Sequence, residues 1–284
     1  MAEDKSPGPF ARIVRAFSQP FPPPAPVTVF EGDSGFSHIT VRDCGDLRTL
    51  YLGADAQESE TSISLSNPTA PIFEYPGMML LALALSPLNR EITMIGLGGG
   101  FIPRLFQEFL PDRRLTVSEV DPMVAEIAET YFFFSPGGNV ELRIADGYEH
   151  LEGMPPESAD QIWLDAFNGK YIPRHMATDE FISLCWSRLR PGGFLAQNLH
   201  QTRIEPYRMQ LRRTMKIFGC TPLVFSGRRS ANAVVMCPRR DEEEWIPPGL
   251  RAVTRLAREF GPAVGPYNLA EESLKRVNDP CWGL

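Results

Sequence analysis

Three carboxylates, Glu119, Asp146 and Asp165, each stand at the end of a short β-prone run, and glycines at Gly96, Gly98 and Gly100 precede them in the chain. Together these residue types suit a nucleoside that carries a further reacting group. Bare glycine backbone lets a ligand lie close against the turn. A carboxylate at Glu119 can accept two hydrogen bonds from a ribose diol, each worth ~1.5–3 kcal/mol when charge-assisted. Asp146 can accept from the exocyclic amine of adenine, and Gly147 beside it leaves space for the ring. Asp165 then stands at the mouth, next to whatever group the nucleoside carries. One acidic strand end is an ordinary helix cap; three in order after a glycine turn outline a site.

The elements that must position these residues are legible from Ile92 onward. Ile-Thr-Met-Ile runs into Gly-Leu-Gly-Gly-Gly, and Ile102 to Phe109 has the apolar spacing of a helix. A dinucleotide fingerprint would need a glycine at position 101, where this chain has Phe101, so the strict G-x-G-x-x-G pattern fails by one residue. The remaining G-x-G-x-G resembles the adenosyl-binding turn of the class I methyltransferase fold, a Rossmann relative, and that resemblance implies an S-adenosylmethionine-type ligand.

Downstream, strands at Leu115 to Val120, Val140 to Ile144, Gln161 to Leu164 and Phe194 to Asn198 alternate with helices at Pro122 to Tyr131 and Asp179 to Leu189. The second of these helices is expected to close at Pro191-Gly192-Gly193. Thr221 to Ser226 and Ala233 to Cys237 read as a closing β-hairpin, and Tyr75 to Leu85 as a helix under the strand that begins at Ile92. Tyr131 to Phe134 reads as core. The expected fold is α/β, a doubly wound, Rossmann-like sheet.

Ahead of it, Val27 to Leu65 carries short β-rich runs separated by Gly-Asp-Ser-Gly and Cys-Gly-Asp turns, which predicts a small antiparallel β-domain. Gly32-Asp33-Ser34-Gly35 resembles a protease nucleophile segment, but turn-forming residues between strands explain it and the rest of that framework is absent. The expected divisions are 1–26, a proline-rich arm with a helical island at Phe10 to Phe17; 27–70, the β-domain; 71–240, the nucleoside-binding domain; and 241–284, a helical tail.

Composition narrows the partners. A net charge of −7 disfavours a nucleic-acid backbone, and the absence of a long apolar run disfavours a membrane span. Five scattered cysteines without C-x-x-C spacing suit neither a disulfide framework nor a zinc site, so no metal is expected. The acidic, proline-bearing start lacks the features of a secretory signal, which predicts a cytoplasmic protein.

From about Val27 to Cys237 the chain resembles the spermidine synthase family, aminopropyltransferases on a methyltransferase-like fold. Gly96-Leu97-Gly98-Gly99-Gly100 sits where the family carries Gly-Gly-Gly-Asp-Gly, Glu119-Val120-Asp121 matches Glu-Ile-Asp, and Asp146-Gly147 matches Asp-Gly. Leu164 to Asn168 falls on Asp-Ser-Ser-Asp, Gln57 on the glutamine of Leu-Asp-Gly-x-x-Gln, and Tyr75 on the tyrosine of Tyr-His-Glu. The resemblance implies that Asp165 and Tyr75 serve the chemistry while Gln57, Glu119 and Asp146 hold the nucleoside. It also implies a small-molecule amine acceptor and a homodimer.

Three departures stand out. Gly99 replaces the aspartate that holds the aminopropyl amine in the family, Pro76 and Gly77 replace His-Glu, and Asn168 replaces the second aspartate of the acceptor site. The chain thus resembles a divergent spermidine synthase-like branch. The expected donor is decarboxylated S-adenosylmethionine, with aminopropyl transfer to an amine. Two alternatives are a methyl or aminocarboxypropyl transfer from intact S-adenosylmethionine, whose carboxylate would use room left by Gly99, and a non-catalytic nucleoside-binding or scaffold protein.

Overall fold

The computed structural model describes residues 24–53, 59–167, 171–227 and 230–240. The proline-rich arm to position 23, Gln57, Asn168 and the tail from position 241 lie outside the described residues. Strands β1 (Val27–Asp33), β2 (His38–Cys44), β3 (Leu47–Leu52) and β4 (Ser59–Ser64) form an antiparallel sheet in chain order. The second sheet has seven strands: β5 (Glu91–Ile95), β6 (Arg114–Glu119), β7 (Val140–Ile144), β8 (Ala159–Leu164), β9 (Leu189–His200), β10 (Leu223–Ser226) and β11 (Asn232–Pro238). Their order is β10-β11-β9-β8-β5-β6-β7, parallel from β9 to β7 and closed by the antiparallel hairpin β10–β11.

Helix α1 (Tyr75–Leu85) is apolar on every side, and Pro76 through Leu85 are all buried. Such a helix has no solvent face to offer and must be enclosed. Ile39, Val41, Leu50 and Ile63 of the small sheet join its leucines and Met94 of β5 in one cluster. The helix packs chiefly on β9 and β11, not under β5 as its position in the chain suggested. A uniformly apolar helix carries no stripe to say which strand it covers. Of the aromatic run, Phe132 and Phe134 enter the core, whereas Phe133 faces solvent.

The remaining helices are α2 (Phe101–Phe109), α3 (Pro122–Tyr131), α4 (Gly147–Gly153), α5 (Asp179–Arg188) and α6 (Ile204–Phe218). One expectation needs correction. Helix α5 stops at Arg188, and Pro191-Gly192-Gly193 lies inside β9, where the register against β8 shifts between Ala159 and Gln161. Proline and glycine are tolerated in strands at such irregularities, so the motif marks a strand defect and not a helix stop. Helix α4, too short to show periodicity, is set by its cap: Asp146 accepts hydrogen bonds from the backbone N–H groups of Tyr148 and Glu149.

From β5 the chain builds outward to β6 and β7, then returns to lay β8 on the other flank of β5. The carboxyl ends of β5 and β8 therefore flank the point where strand order reverses, the usual ligand crevice of such sheets. The Asp165 N–H donates to the Ile95 carbonyl at 2.9 Å, and the Gly96 N–H donates to Ser118 at 2.8 Å. Gly96 has φ +99°, and a Cβ there would lie 2.2 Å from the Asp165 carbonyl oxygen. Gly96→Ala should therefore cost roughly 2–4 kcal/mol, from positive-φ strain and overpacking against a backbone that cannot swing aside. A drop in the urea midpoint checks this; an unchanged midpoint would show that the crossing relaxes.

Candidate active site

A cavity of about 290 Å³ opens at these strand ends, between the β1–β2 turn and the 173–176 segment. Tyr75, Gly96, Gly98, Glu119, Asp146, Gly147 and Asp165 all line it, so seven of the expected site residues share one space. Gly100 does not reach it. This glycine caps α2 at φ +68°, and a Cβ there would strike Phe134 at 2.8 Å, so its role is to let the helix start against the core. Gly147 lines the cavity, but a Cβ on it would meet Ile95 at 2.2 Å. Its bareness seats α4 on β5 instead of clearing space for a ring.

Glu119, the last residue of β6, is 9% exposed. Its Oε2 accepts from the Leu97 N–H at 3.0 Å and its Oε1 from the Asp121 N–H at 3.0 Å. Burial raises its pKa while these backbone donors pull it down. Each oxygen keeps a lone pair for a hydroxyl, which suits a ribose diol. Asp146 caps α4 through Oδ1, and its Oδ2 meets His175 Nε2 at 2.9 Å. His175 was not expected from the sequence; it stands on a segment without periodicity.

Asp165 follows β8, is half-buried and lines the cavity. Burial pushes its carboxyl up to about 6, with hydrogen bonds from Asn198 and Tyr75 acting in the opposite direction. Asn198 Nδ2 donates to Asp165 Oδ1 at 2.8 Å, and Asn232 Nδ2 donates to Asn198 Oδ1 at 3.0 Å. Asn198 was overlooked, although strand register alone places it: Leu164 pairs with Gln197, so the next residues, Asp165 and Asn198, are neighbours. Tyr75, at the first turn of α1, faces the same carboxylate; burial first, then Asp165 and Glu60, hold its hydroxyl well above the ordinary range. It stays protonated and donates.

Gly32-Asp33-Ser34-Gly35 contributes a tether. The Ser34 hydroxyl donates to the Asp121 carboxylate and accepts from the N–H groups of Phe36 and Ser37 at 3.1 Å, which pins the β1–β2 turn beside the cavity and sets Phe36 in its wall. Gly99 is closed off: its N–H donates to Thr61 Oγ1 at 2.9 Å, and a Cβ there would meet Thr61 Cγ2 at 2.7 Å. The room that its lack of a side chain suggested for a donor carboxylate is filled by Thr61. The cavity lining carries Glu60, Glu119, Asp121, Asp146 and Asp165 and, among the described residues, no Lys or Arg.

Two tests follow from this geometry. If Glu119 holds a ribose, Glu119→Gln should weaken binding of an adenosyl ligand by roughly 1–3 kcal/mol while the melting curve holds; an unchanged dissociation constant would remove Glu119 from the site. For Asp165, the folded protein holds the proton more tightly than an unfolded carboxyl near 3.8 does. Folding stability therefore falls as pH rises from about 4 through 6. Asp165→Asn abolishes that loss, so the variant's advantage should grow over this window toward an upper limit of ~3 kcal/mol, less where cavity water screens the charge. Chemical denaturation at a series of pH values reads the slope, and a pH-independent difference would contradict it.

No protein-family model matches the sequence. A polyamine aminopropyltransferase of Vibrio vulnificus is 34% identical over 178 residues, which is 61% of this chain and 60% of that protein. One from Chromobacterium violaceum is 27% identical over 248 residues, 86% of this chain and 92% of the relative. Among solved structures, a probable spermidine synthase from Corynebacterium glutamicum superposes with a TM-score of 0.65 at 23% identity, covering 88% of this chain and 94% of its own. With two sheets, a glycine turn and acidic strand ends gathered round one cavity, the chain is similar to polyamine aminopropyltransferases and shares the fold of that spermidine synthase structure.

Proposed function

We propose that the protein transfers the aminopropyl group of decarboxylated S-adenosylmethionine to a small-molecule amine. The observation that carries this reading is the charge of the cavity: five carboxylates and no Lys or Arg among its described lining residues. A sulfonium with a free ammonium is drawn into such a space. The carboxylate of intact S-adenosylmethionine would meet like charges with no Lys or Arg among the described lining residues to answer it. The curated relatives named as polyamine aminopropyltransferases support the same donor class.

In this reading Glu119 accepts the ribose hydroxyls and Asp146 the adenine amine, with Gln57 assisting. Glu60 supplies the carboxylate for the donor ammonium that Gly99 cannot carry. Asp165 takes the acceptor's proton. The amine lone pair attacks the methylene beside the sulfonium, a carbon–nitrogen bond forms, and the carbon–sulfur bond breaks with its pair going to sulfur. The products are the aminopropylated amine, neutral methylthioadenosine and a proton on Asp165. A carboxyl near 6 is mostly ionised at neutral pH yet basic enough to share the proton in flight. Tyr75 and Asn198 hold its orientation. We extend the reading to a cytoplasmic homodimer, by likeness to the family; no helix among the described residues is long and apolar enough to cross a membrane.

Calorimetry with the two donors tests the charge argument: decarboxylated S-adenosylmethionine should bind at least about tenfold tighter than the intact form, and the reverse preference would sink it. Asp165→Asn should leave donor affinity nearly unchanged while methylthioadenosine release with an amine panel falls by ~10²–10⁴. Wild-type kcat/KM should decline below pH about 6 as Asp165 becomes protonated. Full turnover in the variant would refute its role as base, and release of adenosylhomocysteine instead would favour methyl transfer.

A further inference from the structure

A second cavity, of about 260 Å³, lies beyond Phe167, which lines both spaces. Its electrical character is opposite. Ile172, Leu199 and Met209 give it apolar walls, Arg174, Arg203 and Arg213 border it, and no Asp or Glu does among the described residues. Arg213 is partly answered by Asp179 at 3.5 Å. Arg174 is exposed, and its side chain makes no hydrogen bond or ion pair among the described residues.

Arg203 is the telling residue. Its guanidinium lies 5.3 Å from the centre of the Tyr171 ring, and its Nε is buried with no hydrogen-bond acceptor among the described residues. The Nε atoms of Arg104 and Arg240 are in the same state, but Arg203 is the one that borders this chamber. Arg203 is also the N-cap of α6, a helix of fifteen residues whose first turn no side chain caps. Pro206 and Tyr207 of that turn form part of the cavity wall. Three guanidinium groups beside an apolar chamber make one consistent demand, while Glu205 at the helix start pairs with Arg208 at 3.6 Å.

We propose that this chamber is a second small-molecule site, for an organic anion with an apolar body. The anionic head meets Arg203 and Arg174, and the body lies against Leu199 and Met209. A polyamine would be repelled there, so the site is distinct from the one that takes the amine acceptor, and the inference does not depend on which group is transferred.

The test uses the full-length protein without donor and three probes of one chain length: octanoate, octylamine and octanol. Octanoate should bind saturably by calorimetry, at least about tenfold tighter than either of the others, and weaken on adding salt. Arg174→Leu and Arg203→Leu should each weaken it by about fivefold or more, with methylthioadenosine affinity unchanged; Leu199→Trp, which fills the chamber, should abolish it. If Arg203→Leu fails to fold, the exposed Arg174 carries the charge test alone. The proposal is overturned if octylamine or octanol matches octanoate, if octanoate does not bind, if the arginine variants bind it as wild type does, or if methylthioadenosine competes it away. The last outcome would put the anion in the donor cavity. A failure of the aminopropyl reading would leave all of these results untouched.

Discussion

The closeness of Gly96 to the backbone of Asp165 is the constraint on which the rest of this structure depends. At the reversal of strand order the two chain segments must pass at less than a side chain's width, and only a residue without Cβ, free to take φ +99°, permits it. Because they pass that closely, the carboxylate that follows β8 stands over the turn that follows β5. The cavity and the Asp165 carboxylate are thus fixed by one backbone contact, with no long loop between them.

Keeping a carboxylate in that position works against folding. Desolvation favours the neutral acid, and the surroundings only partly oppose this through one amide and one phenol. The amide is itself oriented by Asn232 on the closing hairpin, and the phenol starts a helix enclosed by core. Glu74, the N-cap of that helix, accepts from the Ser230 N–H at 3.2 Å, so helix and hairpin are tied to each other as well as to Asp165. The burial of α1, worth ~1.5–3 kcal/mol for each fully enclosed leucine, is large enough to hold such a group in place. A strained acid is tolerated where the nearby apolar packing can bear it.

How much of this was legible in the chain depends on whether the signal was local. The strand–turn–helix at Gly96 and the acidic ends of β6 and β8 are local, and the structure brings them together. Tyr75 lies far from Asp165 in sequence, and only the family pattern paired them. Asn198 needed the register of β8 against β9, which Pro191-Gly192-Gly193 obscured by reading as a helix stop. His175 and the arginine-lined chamber assemble from segments with no shared period, and no scan along the chain could have gathered them. The glycines mislead in a different way. Gly100 and Gly147 look like ligand-binding positions, yet the atoms that forbid a side chain there belong to Phe134 and Ile95.

The same reasoning shows why a missing acid need not mean a lost function. At position 99 the family aspartate has no space here, because Thr61 occupies it and bonds to the Gly99 N–H. The residue preceding Thr61 on β4 is Glu60, which lies in the cavity wall and is close enough to Tyr75 to act on its hydroxyl. One short strand therefore closes the old position and presents a carboxylate from another side. What recognises an ammonium is the potential inside the cavity, and that potential depends on how many carboxylates face it and how little water screens them, not on which turn supplies each one. A motif comparison counts the loss at Gly99 and overlooks Glu60. Summing charge over the described walls gives opposite results for the two cavities: carboxylates round the one at the strand ends, and across Phe167 three arginines round the other.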